Sequence, residues 1–313
     1  IQKEINVSFL KYVVNINNEE FNYLKLLKDI LEKKCSERIT RNGKTFSSFG
    51  KQLKFDVSNN FPLLTTKKMF LRGIIEELLF FIRGDTNSNL LSEKKVRIWE
   101  GNTTREFLDN RGLNNYKIGD MGPMYGWQWR HYGAEYKGMD YNYDNTGFDQ
   151  LKEVIRLIKE DPTSRRIMMT TFNPVQLKES VLAPCHSLIL QFYVDGDNLS
   201  CHMYQRSADL FLGVPFNISS TTILLYIIAH ITNLKPKDVI ISFGDVHIYE
   251  DHLEQSKQQI ERYPYVFPKL EIKKKIDTNN IDKMISFMEE LDYSDFKLTE
   301  YKFYGRIKAN MVA

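Results

Sequence analysis

Residues 183–187 read Ala-Pro-Cys-His-Ser, and Cys185 is one of three cysteines in 313 residues. A cysteine in that setting can be core filler, half of a disulfide, a metal ligand or a nucleophile. A disulfide framework needs more cysteines and a secretory context. A metal site draws support from two Cys-His pairs, Cys185-His186 and Cys201-His202. Adjacent residues on a strand point to opposite faces, however, so neither pair can chelate with both members, and no zinc-type spacing occurs. Core filler is the default for a lone cysteine and suits Cys35 and Cys201.

The surrounding pattern favours more than filler for Cys185. Residues 186–210 read as two strands around Asp195-Gly196-Asp197-Asn198, a hairpin signal. If Val194 pairs with Leu199, Cys185 faces Ala208 and Ser187 faces Arg206, with room for a slip of a residue or two. Either way Gln205-Arg206-Ser207-Ala208-Asp209 folds back beside the thiol. An arginine there favours the thiolate, the nucleophilic form. A cysteine hydrolase would also need a base and an oxyanion hole. His186 points away on an alternating strand, and no pattern places another histidine. Arginines gather instead: Arg165-Arg166 opening an apolar strand, Arg206, and Arg41 in Ile39-Thr40-Arg41-Asn42-Gly43. Arginine is the preferred bidentate binder of phosphate. A thiolate beside several arginines suggests covalent attack on a phosphorylated small molecule.

These residues need elements to carry them. Residues 17–34 read as an amphipathic helix capped by Asn17 or Asn18, with Phe21, Leu24, Leu27, Ile30 and Leu31 as its stripe. Residues 45–57 read as a strand and 67–87 as a helix stopped by Gly84. That helix is nearly all apolar yet carries Glu76 and Glu77. Helix neighbours diverge by about 100°, so only one of the two acids can easily reach solvent if the other faces the core. A third helix is expected over 147–161, a buried strand over 165–173 and a fully buried helix over 218–232. A strand over 238–249, a polar helix to about Arg262 and strand-like stretches near 269–275 and 296–303 follow. Strands and helices mix without strict alternation, which points to an α+β domain.

Composition sets bounds. Hydrophobic residues are 42% and charged residues 27%, as in ordinary globular proteins. A net charge of +3 with no basic stripe argues against a dedicated nucleic-acid binder. Twenty phenylalanines and 17 tyrosines suggest an aromatic core or pocket. The apolar run 223–234 is short of the roughly 20 residues that a membrane span needs. No targeting pattern appears, so a reducing, cytoplasmic setting is expected. Residues 1–16 read as a leader or junction, and 17–313 as one domain. The chain starts without Met, which suggests processing or a longer parent chain.

The motifs Phe61-Pro62-Leu63-Leu64-Thr65-Thr66-Lys67-Lys68, Glu76 to Phe81, Asp120 to His131, Asp161 to Ile167, Ala183 to Ser187, Tyr204 to Gly213, Val214 to Ser220, Gly244 to His252 and the ending Ile307 to Ala313 stand in order. Together they resemble the thymidylate synthases from about residue 20 onward. The lead-in resembles the junction of protozoan bifunctional dihydrofolate reductase–thymidylate synthases, which implies a possible fused reductase upstream.

The resemblance implies a mixed β-sheet covered by helices, packing back to back in a homodimer. It implies reductive methylation of dUMP to dTMP, with 5,10-methylenetetrahydrofolate supplying carbon and hydride and leaving as dihydrofolate. No metal is implied. Cys185 would add to uracil carbon 6, with Arg206 binding phosphate and supporting the thiolate. Gln205 and Ser207 would assist the phosphate and pocket. Arg165 and Arg166 would reach the partner's phosphate site. Asn217 would read the uracil edge, where an Asp would suit cytosine instead. His247 and Tyr249 would hold the ribose hydroxyl. Glu77 would organise proton transfer through water, its burial raising its pKa, and Tyr125 would help remove the carbon 5 proton. Lys67, Ile98, Trp99, Asn102, Asp209, Leu212, Gly213 and Phe216 would serve the folate side, and Met311-Val312-Ala313 would close over the ligands. The phosphate loop is one residue short and less glycine-rich than the family pattern. Arg41 is its expected arginine and Arg38 the alternative. Phe80 stands for a usual tryptophan and Ala208 for a common cysteine. The rival readings are an RNA-binding regulator and a catalytically dead partner, against which Cys185, Arg206, Asn217, Glu77 and Tyr125 speak.

Overall fold

The computed structural model describes residues 17–32 and 35–311. The leader 1–16 and the last two residues, Val312 and Ala313, lie outside the described residues. Helix α1 (Asn18–Leu31) begins where Asn17 Oδ1 accepts from Glu20 N at 3.0 Å. It buries Tyr23, Leu24, Leu27 and Ile30. Strands β1 (Ser36–Thr40) and β2 (Gly43–Asp56) form a hairpin in which Thr40 opposes Gly43, leaving Arg41-Asn42 as a two-residue turn.

Helix α2 (Leu71–Ile82) buries every residue except Arg72. It starts later than the expected residue 67 for a physical reason. Buried Glu20 accepts from Thr65 N and Thr66 N, at 2.9 and 2.8 Å, and from both threonine hydroxyls, each at 2.7 Å. The chain before α2 is therefore tied to α1 rather than coiled. Gly84, at φ +75°, ends the helix as expected.

Short helices α3 (Asn89–Glu93), α4 (Arg105–Asn110) and α5 (Gly126–His131) lead to α6 (Gln150–Glu160), where Asp149 accepts from Lys152 N at 2.9 Å as the cap. Strands β3 (Met168–Thr170), β4 (Ile189–Asp195) and β5 (Asn198–Asp209) follow, then α7 (Gly213–Thr232), β6 (Lys235–Tyr249), α8 (Leu253–Ile260), β7 (Lys269–Ile272), α9 (Ile281–Glu289) and β8 (Phe296–Thr299). The main sheet has the order β1-β2-β6-β5-β4-β3. Only β5 and β6 run parallel, joined by α7 as the crossover. The fold is α+β with a mixed sheet, as expected; β7 and β8 form a separate antiparallel pair.

Two expectations need correction. The buried strand over 165–173 is only three residues long and lies at the sheet edge, with Arg165, Arg166 and Met168 exposed. The Gln150 amide closes that edge, donating to Thr170 O and accepting from Thr170 N. The buried helix is longer than expected, 20 residues, and begins at Gly213. It is apolar and long enough to cross a bilayer, but it packs against β5 and β6 inside the core. The sheet's other face is uncovered: Ile189, Gln191, Tyr193, His202 and Tyr204 are exposed along it.

Candidate active site

The expected pairing of Val194 with Leu199 is present, and the ladder continues to Ile189 opposite Tyr204. It stops there. Ser187 has φ +54°, a left-handed conformation that breaks strand alternation. Cys185 therefore faces not Ala208 but the preceding residues: its carbonyl accepts from Arg206 N at 2.9 Å and Ser207 N at 3.4 Å. The break also reverses the expectation for His186. Its ring does not point away; it lines the cavity and stacks on Tyr125 at 4.5 Å between centroids. Burial lowers the His186 pKa to about 4, so the ring is neutral near pH 7.

Arg206 is pinned beside Cys185. Its Nε donates to Pro184 O and its Nη2 to Ala183 O, both at 2.8 Å. Tyr125 approaches the thiol from the other side. Its hydroxyl accepts from Cys185 N at 3.1 Å and lies 3.4 Å from Sγ. Burial pushes the Cys185 thiol above its ordinary pKa, while Tyr125 and Arg206 pull it down. The expected direction of Arg206's effect is present, but the expected net lowering is not. Removing a thiolate from water outweighs both partners. Cys201, by contrast, is buried in the core as filler.

The pair of acids on α2 divides as helix geometry requires. Glu76 bonds Lys94 Nζ at 2.7 Å. Glu77 turns to the cavity, where Trp99 Nε1 donates to it at 2.8 Å. Burial raises the Glu77 pKa to about 7. That is a carboxyl poised to take and give a proton near neutrality.

Cys185, His186, Tyr125 and Glu77 face a cavity of about 780 Å³, while Arg206 stands behind Cys185 and does not line its wall. The end of β5 and the first turn of α7 make one wall. Gln205 Nε2 donates to Asn217 Oδ1 at 2.9 Å, and Ser207 and Asp209 lie along it. The Asp209 carboxylate accepts from Phe211 N and Leu212 N, at 3.0 and 3.1 Å, and so shapes the entry to α7. Leu212, Gly213 and Phe216 with Ile98, Trp99 and Asn102 form a largely apolar side. Lys67 is buried there, donating to Phe211 O and lying 3.8 Å from that ring's centroid. Burial lowers its pKa to about 7.

Other expected residues stand around the cavity or away from it. His247, near the end of β6, is 3.0 Å from Asp245 and edge-on to Tyr249 at 5.1 Å. Neither His247 nor Tyr249 lines the cavity wall; Asn42, which does, lies against Tyr249. Arg38 pairs with Asp245 at 2.5 Å, which engages its guanidinium. Arg41 is exposed at the hairpin tip, its Nε donating to Asn42 Oδ1 at 2.9 Å. Arg165 and Arg166 are exposed at the far edge of the sheet and do not line the cavity. Ala313 lies outside the described residues, but Ile307, Ala309 and Met311 of the tail line the mouth.

Sequence reasoning missed His186, Asn42, Lys68 and Arg306 on the cavity wall. The adjacency of Lys68 to Lys67 was a usable signal. His186 was hidden by assuming an unbroken strand. Among the described residues no cluster of three or more His, Cys, Asp or Glu could hold a metal.

The family model described as thymidylate synthase matches residues 21–313. The chain is 47% identical over 309 residues to a bifunctional dihydrofolate reductase–thymidylate synthase of Zea mays, covering 98% of this chain and 57% of that one. A protein of the same name from Plasmodium chabaudi is 48% identical over 297 residues, 95% of this chain and 49% of that one. A thymidylate synthase of human herpesvirus 8 is 46% identical over 297 residues, 94% of this chain and 84% of that one. The chain thus spans about half the length of the bifunctional relatives it matches.

Proposed function

We propose, from the premise that the chain belongs to the thymidylate synthase family, that it methylates dUMP to dTMP with 5,10-methylenetetrahydrofolate as carbon and hydride donor. The observation that carries this reading is one cavity holding the Cys185 thiol, the Tyr125 hydroxyl, the Glu77 carboxyl and the Asn217 amide. The apolar side at Ile98, Trp99, Leu212 and Phe216 suits a flat ring system, and Lys67, Lys68 and Arg306 suit an anionic tail.

In this reading, Cys185 bonds to uracil carbon 6. The carbon 5–carbon 6 electron pair moves toward the ring carbonyl, making carbon 5 an enolate nucleophile. Arg206 and Tyr125 favour the thiolate that starts the step, and substrate phosphate would be held by Arg206 with Gln205 and Ser207. Asn217 reads the uracil edge. Glu77, near its titration midpoint at neutral pH, relays protons to and from the ring. Tyr125, reaching over Cys185, assists loss of the carbon 5 proton. That proton leaves after carbon 5 has bonded the one-carbon unit. The carbon–nitrogen bond to the folate then breaks, and hydride from the folate converts the resulting methylene to a methyl group. Breaking of the Cys185–carbon 6 bond restores the thiol. The folate supplies the one-carbon unit and the hydride and leaves as dihydrofolate. His247 and Tyr249 hold the ribose hydroxyl from behind Asn42, and the strap ending at Ala313 excludes water.

The phosphate site also takes Arg41 and, from a second copy of the chain, Arg165 and Arg166. Their exposure away from the cavity and the uncovered apolar sheet face support a back-to-back homodimer. The bifunctional relatives support a reductase domain joined upstream of the synthase domain. A catalytic thiol needs a reducing compartment, and we place the protein in the cytoplasm.

Tritium release from carbon-5-labelled dUMP with methylenetetrahydrofolate tests the reading. Wild type releases label, and Cys185→Ala does not. Equal release by both overturns the covalent mechanism. No release by wild type favours a dead partner or RNA-binding regulator.

A further inference from the structure

The last stretch of the described chain covers the mouth of the cavity through Ile307, Ala309 and Met311. Upstream of it, the chain is tied down repeatedly. Tyr304 N donates to Thr65 O at 2.8 Å, Arg262 Nη1 donates to Gly305 O at 2.9 Å, and the Tyr304 ring stacks on Tyr265 at 5.1 Å. Beyond Gly305 the anchors thin out. The Ile307 side chain is buried, while Arg306, Lys308, Asn310 and Met311 are exposed. Among the described residues one hydrogen bond secures this stretch: His252 Nε2 to Asn310 O, at 2.8 Å. The acceptor is a carbonyl, so Nε2 carries the proton and donates.

His252 is 1% exposed, just ahead of α8. Its ring packs at 5.5 Å from Phe211 and, edge-on, 6.0 Å from Tyr249. Phe211 is the residue whose carbonyl and ring hold Lys67, and it precedes the Leu212 wall. Tyr249 lies against Asn42, another residue of the cavity wall. One ring thus touches the strap, the apolar wall and the hairpin side. Nδ1 has no hydrogen-bond partner among the described residues, so the Asn310 carbonyl is the ring's one polar contact.

We propose that His252 is a positioning residue for the reaction: the clasp that holds residues 306–311 over the cavity, in register with Phe211 and Tyr249. It touches neither reacting carbon, and it acts through the strap. A buried N–H with a single acceptor loses that acceptor at the full cost of an unpaired donor, so the strap is held in place in the unliganded protein. The consequence for folate binding rests on the function proposed above; the clasp itself does not.

The test compares the full chain as wild type, His252→Phe and His252→Gln. Phenylalanine keeps the ring packing and removes the donor; glutamine restores a donor near the Nε2 position. Hydrogen exchange is read on the unliganded proteins over residues 306–311 and, as an internal reference, over 301–305. His252→Phe is expected to speed exchange of the distal stretch about tenfold, the order of one lost hydrogen bond, and to leave the reference unchanged. His252→Gln is expected to return it toward wild type. In turnover, His252→Phe raises KM for the folate about tenfold with a smaller change in kcat. Unchanged distal exchange in His252→Phe overturns the clasp. Accelerated exchange with an unchanged folate KM overturns the positioning role. Faster exchange in both segments means a merely structural residue and also overturns it. If wild type shows no dUMP turnover while exchange responds as expected, the proposed function fails and the clasp stands.

Discussion

Glu77 shows what a buried carboxyl facing a cavity costs the fold. Its folded pKa is raised from 4.5 to about 7. Between those values the native protein binds a proton that the unfolded chain releases. Stability therefore falls as pH rises through that window, and above about pH 7 the full cost of the buried charge is present, on the order of 3 kcal/mol. Glu77→Gln keeps an acceptor for the Trp99 N–H and carries no charge. The variant should melt higher than wild type at pH 8 and by a clearly smaller margin at pH 5. Its tritium release should drop by about two to four orders of magnitude. Thermal melts at the two pH values and the release assay check both halves; an unchanged melting difference between pH 5 and 8 would count against the burial argument. Helix geometry alone showed that Glu76 and Glu77 face different ways; it did not show that both are buried, Glu76 against Lys94. The position of His186 was not, because Ser187's left-handed backbone leaves no mark in residue type.

At the scale of elements, the contact between α5 and α2 decides where Tyr125 sits. Gly126 opens α5 so close to α2 that an added Cβ would stand 2.1 Å from Phe81 O and 2.3 Å from its Cα. Those are backbone atoms and cannot swing aside. The close approach stacks Tyr125 on Phe81 at 4.9 Å and presents its hydroxyl to Cys185, with Tyr125 itself at φ +46°. Gly126→Ala should cost about 3 kcal/mol or more by overpacking and lower activity beyond what the stability loss explains. Denaturant melts with turnover measured well below the transition separate the two effects. A variant with wild-type stability and rate would show that the backbones can part. The glycine was visible in the sequence; what it meets was not, since Gly126 and Phe81 lie 45 positions apart.

At the scale of the molecule, the uncovered sheet face and the placement of Arg165 and Arg166 belong together. Tyr193 is 67% and Ile189 41% exposed on that face, unusual for large side chains in regular strands. If two chains share each site, the Cys185→Ala variant and an Arg165→Ala, Arg166→Ala double variant are each inactive alone. Their mixture forms mixed dimers with one intact site, so activity should recover to about a quarter of wild type. No recovery after verified subunit exchange would count against the shared site, as would a fully active monomer by sedimentation.

Local chemistry was determined by the sequence alone. The hairpin signal brought Arg206 to Cys185, apolar periodicity marked α1, an apolar stretch with no polar face marked α7, and the ordered motifs implied the family. Such features depend on neighbours along the chain, whose spacing and torsional preferences are written in residue types. Tertiary structure decided what depends on distant contacts. It began β4 only at Ile189, leaving Cys185 outside the strand, turned His186 inward, committed Arg38 to Asp245, and placed burial above Arg206 in setting the thiol's pKa. It also set His252 against Asn310, 58 residues away. Desolvation and steric fit arise only when remote segments pack together, and no local pattern encodes which segments those will be.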